Sequence, residues 1–149
     1  MARAVGRVVI DEVRPVVDCG ARAAKAAAGL PLLVSATVIV DGPDRLLAWV
    51  RHGPPRPAAT AATAARLPGG WRELAMAEAG NDRFTARLVP ARVGPWSFEV
   101  LAVPDDYGSW LRDLRLRVEA GQDVALELAL GAQLAERRAA RAGVGAADR

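Results

Sequence analysis

Between residues 32 and 40 apolar and polar side chains alternate, with Val34, Ala36, Val38 and Val40 on one side of an extended chain and Ser35 and Thr37 on the other. That period of two predicts a strand with one buried face. Asp41-Gly42-Pro43-Asp44 is turn chemistry, and residues 46–52 resume an extended pattern carrying Trp49, so the two runs predict a hairpin. Before them, residues 7–18 read as one extended segment or two, divided near Pro15, with Val8 and Ile10 sharing a face. After them, residues 71–78 form a strand, Ala79-Gly80-Asn81-Asp82 turns it, and residues 83–89 return. On that return Phe84, Ala86 and Leu88 face inward and Arg83, Thr85 and Arg87 outward. Residues 90–95 connect, with Gly94 as the flexible point, to a last alternating run of Trp96, Phe98 and Val100 against Ser97 and Glu99.

The period changes at Tyr107. Tyr107, Trp110, Leu111, Leu114 and Val118 recur every three or four residues, one stripe of an amphipathic helix, with Arg112, Asp113, Arg115 and Arg117 around it. Gly121 stops that helix, and Asp123 is placed to cap a second one carrying Val124, Leu128 and Leu134. Six or seven short strands with Gly/Pro/Asn/Asp turns and no βαβ rhythm predict an antiparallel β-sandwich of immunoglobulin or fibronectin type III kind, followed by a pair of α-helices. The divisions are a sandwich over 1–104, two helices over 105–142 and a disordered tail over 143–149. Within the sandwich, residues 54–70 are rich in Pro, Ala and Thr and offer little to bury, so they read as a mobile loop.

A chain of 149 residues suits one domain with its own core. The lone Cys19 has no intramolecular partner and reads as a small buried hydrophobe, which fits a reducing cytoplasm. Arg3, Arg7, Asp11, Glu12 and Arg14 interrupt any leader-like apolar run, and Gly29 and Pro31 break the apolar stretch that follows, so neither a signal peptide nor a membrane span is expected. The net charge of +3 comes from arginines interleaved with acids, a solvated surface rather than a nucleic-acid face.

Candidate chemistry is sparse. No Cys/His cluster has zinc spacing, no glycine-rich loop could cradle a phosphate, and no cofactor is implied. The sole histidine, His52, reads as a polar residue at a strand end. Asp105 and Asp106 are adjacent, so on an extended chain they point to opposite sides; capping the helix before Tyr107 suits them better than paired acid–base work. Trp71 and Trp96 read as sandwich core, Trp49 shares its strand face with Leu47 and Arg51, and Trp110 either completes the helix stripe or docks against the sandwich or a further neighbour.

Four segments in order, GRVVIDEVRPVVDCG, AKAAAGLPLLVSATVIVDG, GNDRFTARLVPARVGPWSFEVLA and WLRDLRLRVEAGQDVALELALGAQLAE, resemble the N-terminal region of the bacterial α-1,4-glucan:maltose-1-phosphate maltosyltransferases, enzymes of the α-amylase superfamily. The resemblance implies a β-sandwich interrupted by a helical insertion, which supports dimerisation and packs beside a catalytic (β/α)₈ barrel. Such a barrel takes about 250 residues by itself, so the catalytic carboxylates are expected elsewhere and this chain is expected to be inert alone. Departures from the family pattern fall at Arg22 and Ala23, at Leu30, and at Glu127, the one acid kept in a run where more are expected. The implied role is assembly, with a second copy or a separately encoded barrel as partner. A free-standing α-glucan-binding module and a truncated, non-functional enzyme fragment are the alternatives. Candidate contacts to a partner or a glucan are Trp49, Trp110, Arg112, Asp113, Arg115, Gln122 and Asp123. The absence of the barrel implies an unpaired sheet edge and partly uncovered apolar helix faces.

Overall fold

A computed structural model describes residues 8–55 and 70–146. Seven strands and two long helices follow one another: β1 (Val8–Arg14), β2 (Leu32–Val40), β3 (Leu46–Gly53), β4 (Arg72–Ala75), β5 (Ala77–Glu78), β6 (Arg83–Leu88), β7 (Ser97–Pro104), α1 (Asp106–Glu119) and α2 (Ala125–Ala146). The strands form a four-stranded sheet in the order β1-β2-β6-β5 and a three-stranded sheet in the order β4-β3-β7. This is the two-sheet antiparallel sandwich with a C-terminal helix pair that the alternation predicts. Contacts divide the described chain into two units: the sandwich, residues 8–41 and 46–103, and a helical unit, residues 42–45 and 104–146.

Strand β2 sits inside its sheet, paired to β1 through Ile10↔Val38 and to β6 through Val34↔Ala86 and Ala36↔Phe84. Its inward residues Val34, Ala36 and Val38 have no exposed surface. They meet Phe84 and Leu88 from β6, Ala48 and Val50 from β3, and Met76 in one buried cluster. Burial on this inner face follows the period of two seen in the sequence. Ser35, on the outer face, is also buried: its Oγ accepts a hydrogen bond from Arg83 Nη1 at 3.1 Å, and Arg83 is held in turn by Glu12 at 2.7 Å.

Three expectations are corrected. Strands β2 and β3 do not form a hairpin; they lie in opposite sheets, because each carries an apolar face and the sandwich buries those faces against each other instead of side by side. Residues 71–78 are not one strand. The chain changes sheets at Met76, whose buried N–H donates to the Ala48 carbonyl at 2.9 Å, so β4 pairs with β3 and β5 with β6. Cys19 is exposed: it lies in the 3₁₀ turn Asp18–Gly20 with φ of 52°, outside any ladder that offers an inner face.

Of the remaining expectations, the turn after β5 does make a hairpin. Asn81 and Asp82 both take left-handed backbone, at φ 51° and 58°, and Arg83 N–H closes on the Gly80 carbonyl at 3.0 Å, the I′ geometry that matches strand twist. Within the loop expected over 54–70, residues 56–69 lie outside the described residues. The helix predicted to end at 142 runs on to Ala146, since nothing in residues 143–146 carries a proline to stop it. Residues 147–149 lie outside the described residues.

The core predicts a measurable sensitivity. Phe84 is 5% exposed and fills the space between the sheets, so Phe84→Ala should lower unfolding stability by about 3–5 kcal/mol, read as a shift of the urea midpoint at unchanged m-value.

Candidate functional site

The helical unit holds six of the seven candidate contact residues, and its geometry starts at the turn 42–45. Arg45 is anchored through both backbone groups: its N–H donates to Ser109 Oγ at 2.7 Å and its carbonyl accepts from the Asp105 N–H at 2.7 Å. Ser109 is 1% exposed. Asp105 is the N-cap of α1, its Oδ1 accepting from the Gly108 N–H at 2.9 Å, which satisfies one of the free amides of the first turn. The capping reading of this aspartate holds, and the carboxylate has a second partner in Arg138 from α2 at 3.3 Å. The same guanidinium stands 5.1 Å from the centroid of the Tyr107 ring, so α2 is clasped over the start of α1 by charge and by cation–π contact.

One turn further along α1, Trp110 sets the distance between the helices. Its ring lies 5.2 Å from that of Tyr107, tilted by 45°, and its indole N–H donates to the Glu127 carbonyl at 2.7 Å. A side chain at Gly131 would overlap the six-membered part of the indole. Gly131 is therefore the opening into which the indole fits. Its signal in the sequence was a glycine interrupting an otherwise Ala/Leu-rich helix, where it costs about 1 kcal/mol unless packing requires it. Arg117 to Glu127 at 2.9 Å closes the far end of the pair. Between the helices Gly121, at φ +66°, lets the Gln122 N–H return to the Arg117 carbonyl at 3.0 Å, and Asp123 Oδ1 caps α2 through the Ala125 N–H at 3.0 Å.

The candidate residues thus separate by use. Trp110 docks on the next helix, its indole on the Glu127 carbonyl and against Gly131. Arg112 donates to Asp113 Oδ1 from Nε and Nη2 at 3.0 and 2.8 Å and to the Pro43 carbonyl from Nη1 at 2.8 Å, so this pair fixes the turn. Arg115 and the Gln122 side chain are exposed. Trp49 belongs to the sandwich unit, half-buried opposite Ala75, and is not gathered with the other six. Sequence reasoning placed Tyr107 on the helix stripe but missed Ser109, Gly131 and Arg138 as residues that hold the hairpin. It also expected Val118 and Leu128 to pack, yet these are 57% and 54% exposed, as are Leu116, Leu126 and Leu130 at 58, 69 and 47%. Both helices therefore present uncovered apolar side chains.

In the sandwich, His52 continues the inward face of β3 and is 5% exposed, with no hydrogen-bond partner for Nδ1. Its ring lies 5.9 Å from that of Trp96. Burial, then the charge of Arg72, holds its pKa below the usual 6.5. Trp71 is buried with its indole N–H on the Pro54 carbonyl at 3.0 Å, as a core reading requires, while Trp96 is half-buried. Among the described residues no group of acidic, His or Cys side chains is arranged to hold a metal, and no helix is long and apolar enough to cross a membrane.

Two substitutions test the hairpin. Gly131→Ala should displace Trp110, seen as a red shift of tryptophan emission, and Asp105→Ala should remove about 0.5–2 kcal/mol of unfolding stability with the Trp110 environment retained.

The family model for domain N/S of α-1,4-glucan:maltose-1-phosphate maltosyltransferase matches residues 6–149. Maltosyltransferase 1 of Streptomyces coelicolor is 38% identical over 136 residues, 91% of this chain and 19% of the relative. The Myxococcus xanthus enzyme is 34% identical over 142 residues, 95% of this chain and 20% of its own length, and that of Chlorobaculum tepidum 33% identical over 136 residues. The chain spans about a fifth of the length of these curated relatives. With the match running through both the sandwich and the helical hairpin, the chain belongs to the α-1,4-glucan:maltose-1-phosphate maltosyltransferase family and corresponds to its N/S domain.

Proposed function

We propose that this chain serves as the assembly domain of a maltosyltransferase that extends α-1,4-glucan from maltose 1-phosphate in cytoplasmic glycogen or α-glucan biosynthesis, and that it is not itself catalytic. The observation that carries this reading is the uncovered apolar surface of both helices, Leu116, Val118, Leu126, Leu128 and Leu130, in a domain matched to a fifth of much longer relatives. Apolar side chains this exposed on a helix pair suit burial against another protein surface. A second copy or the catalytic barrel is the partner.

The chemistry points the same way. Glycosyl transfer with retention needs a carboxylate nucleophile and an acid–base carboxyl about 5–5.5 Å apart in a rigid frame. Here Asp105 is committed to the N-cap and to Arg138, Asp113 to Arg112, and Asp123 to the cap of α2. Each already accepts a hydrogen bond from a backbone amide or an arginine. In this reading Arg112, Asp113 and Asp123 shape the hairpin, and the exposed Arg115 and Gln122 are left to meet the partner.

A glucan-binding reading rests on Trp49, since the Trp110 indole is occupied by α2. It is the weaker of the two because one half-buried ring offers a single stacking surface.

Light scattering of the purified chain, run beside an assay of maltosyl transfer from maltose 1-phosphate to maltooligosaccharide, tests the proposal. A dimer without turnover is the expected result. Turnover by these 149 residues, or a monodisperse monomer that neither binds an apolar dye nor associates with the catalytic barrel, overturns it. Retardation in a glycogen-containing native gel, lost in Trp49→Ala, would favour the glucan reading instead.

A further inference from the structure

His52 is the one buried side chain among the described residues that leaves a polar atom, Nδ1, without a partner. Its surroundings explain why a proton there would be poorly tolerated. Along β3, Ala48, Val50 and His52 share the inward face, and Arg51 points the other way, where it meets Glu73 at 2.6 Å. Across the ladder the partner of His52 is Arg72. On the other neighbouring strand, β7, the residues packed toward the core are Phe98, Val100 and Ala102, so Glu99 falls on the opposite face, and it has interactions of its own. The inward positions of the facing sheet are apolar, Val34, Ala36, Val38, Phe84 and Leu88 among them. Among the described residues the imidazole face therefore meets a cation and no carboxylate.

The second observation is the segment that leads into Trp96, whose ring meets this one. Residues 91–95 are exposed throughout, Val93 at 91%, and Gly94 takes φ of +136°. The strap is tied at its start by the Gly29 N–H on the Pro90 carbonyl at 2.8 Å. At its other end Trp96 donates its indole N–H back into the strap, to the Arg92 carbonyl at 3.0 Å. That hydrogen bond closes the strap on itself, and the aromatic ring that receives the Trp96 indole is His52, 5.9 Å away.

We propose that His52 is an acid-sensitive latch for this strap: a proton taken up on Nδ1 creates a charged N–H with no acceptor on the inward face, and the imidazole–indole contact opens to let water reach it. The attraction of an imidazolium for an indole works against opening. It is outweighed because the charge is buried, lacks a hydrogen-bond acceptor, and faces Arg72. A histidine held neutral by its fold favours the closed form fully above the ordinary imidazole value of about 6.5; as pH falls below that, the open form takes up the proton first and closure weakens, until the folded imidazole titrates as well. One proton changes the equilibrium by at most about tenfold per pH unit.

The latch does not depend on the maltosyltransferase reading, and its test is separate from activity. The chain has a single histidine, so its ring protons report one titration by NMR, and 5-fluorotryptophan labelling gives four lines, with that of Trp96 identified by Trp96→Phe. The expected result is a His52 midpoint below 6.5 with the Trp96 line moving toward its solvent-exposed position over the same pH range, and no such movement in His52→Phe. If that variant does not fold, His52→Gln is read the same way. A His52 midpoint at or above 6.5, a Trp96 line indifferent to pH in that range, or an identical response without the histidine overturns the proposal.

Discussion

The sandwich depends on the burial of one strand. Val34, Ala36 and Val38 have no solvent exposure because β2 is paired on both edges and covered on its inner face. Everything else in that unit answers to this constraint. Strand β3 must lie opposite rather than alongside, the chain must cross between sheets at Met76, and the I′ turn must return β6 in register to seal the second edge of β2. The hydrophobic effect sets the stability of this arrangement, and backbone pairing sets its geometry.

The helical unit rests on different physics. Its two helices share few buried apolar groups, and their association is made by directed contacts: an indole fitted to a glycine, a carboxylate shared between a helix amide and an arginine, a guanidinium over a phenol ring. Such contacts specify angle and register while burying little area. They leave the leucines of α2 uncovered, which is the property on which the proposed assembly role turns.

How much of this was legible in the residues follows from the range of the forces involved. Period-two alternation and cap chemistry are local, and they located the strands, the helix start at Asp105 and the stop at Gly121. Sheet partnership is not local: alternation in 32–40 and 46–52 says that each has an inner face, but not which strand lies beside it, and the hairpin inferred from Asp41-Gly42-Pro43-Asp44 was wrong for that reason. The change of sheet at Met76 leaves no mark on the alternation, and Cys19 looked buried only on residue type, whereas its turn offers no interior. Among the site residues, Arg112, Asp113 and Asp123 were singled out because charge and cap chemistry stand out in a sequence. The capping role of Asp123 was legible as well, because it is local, whereas the Pro43 carbonyl that Arg112 reaches becomes visible only in three dimensions. His52 passed for a strand-end residue because nothing in its neighbours signals that the last positions of β3 are still covered.

The anchoring of Arg45 by Asp105 and Ser109 makes the helical unit discontinuous along the chain. Its first turn contains a peptide segment that precedes it by 64 residues. During synthesis α1 can adopt helical backbone as soon as it emerges, yet its start is completed only when the loop between the two segments closes. Closure entropy grows only with the logarithm of loop length, so added residues between the two segments cost this step little. The beginning of the hairpin thus carries a contact of long sequence separation in a unit whose other ties are local.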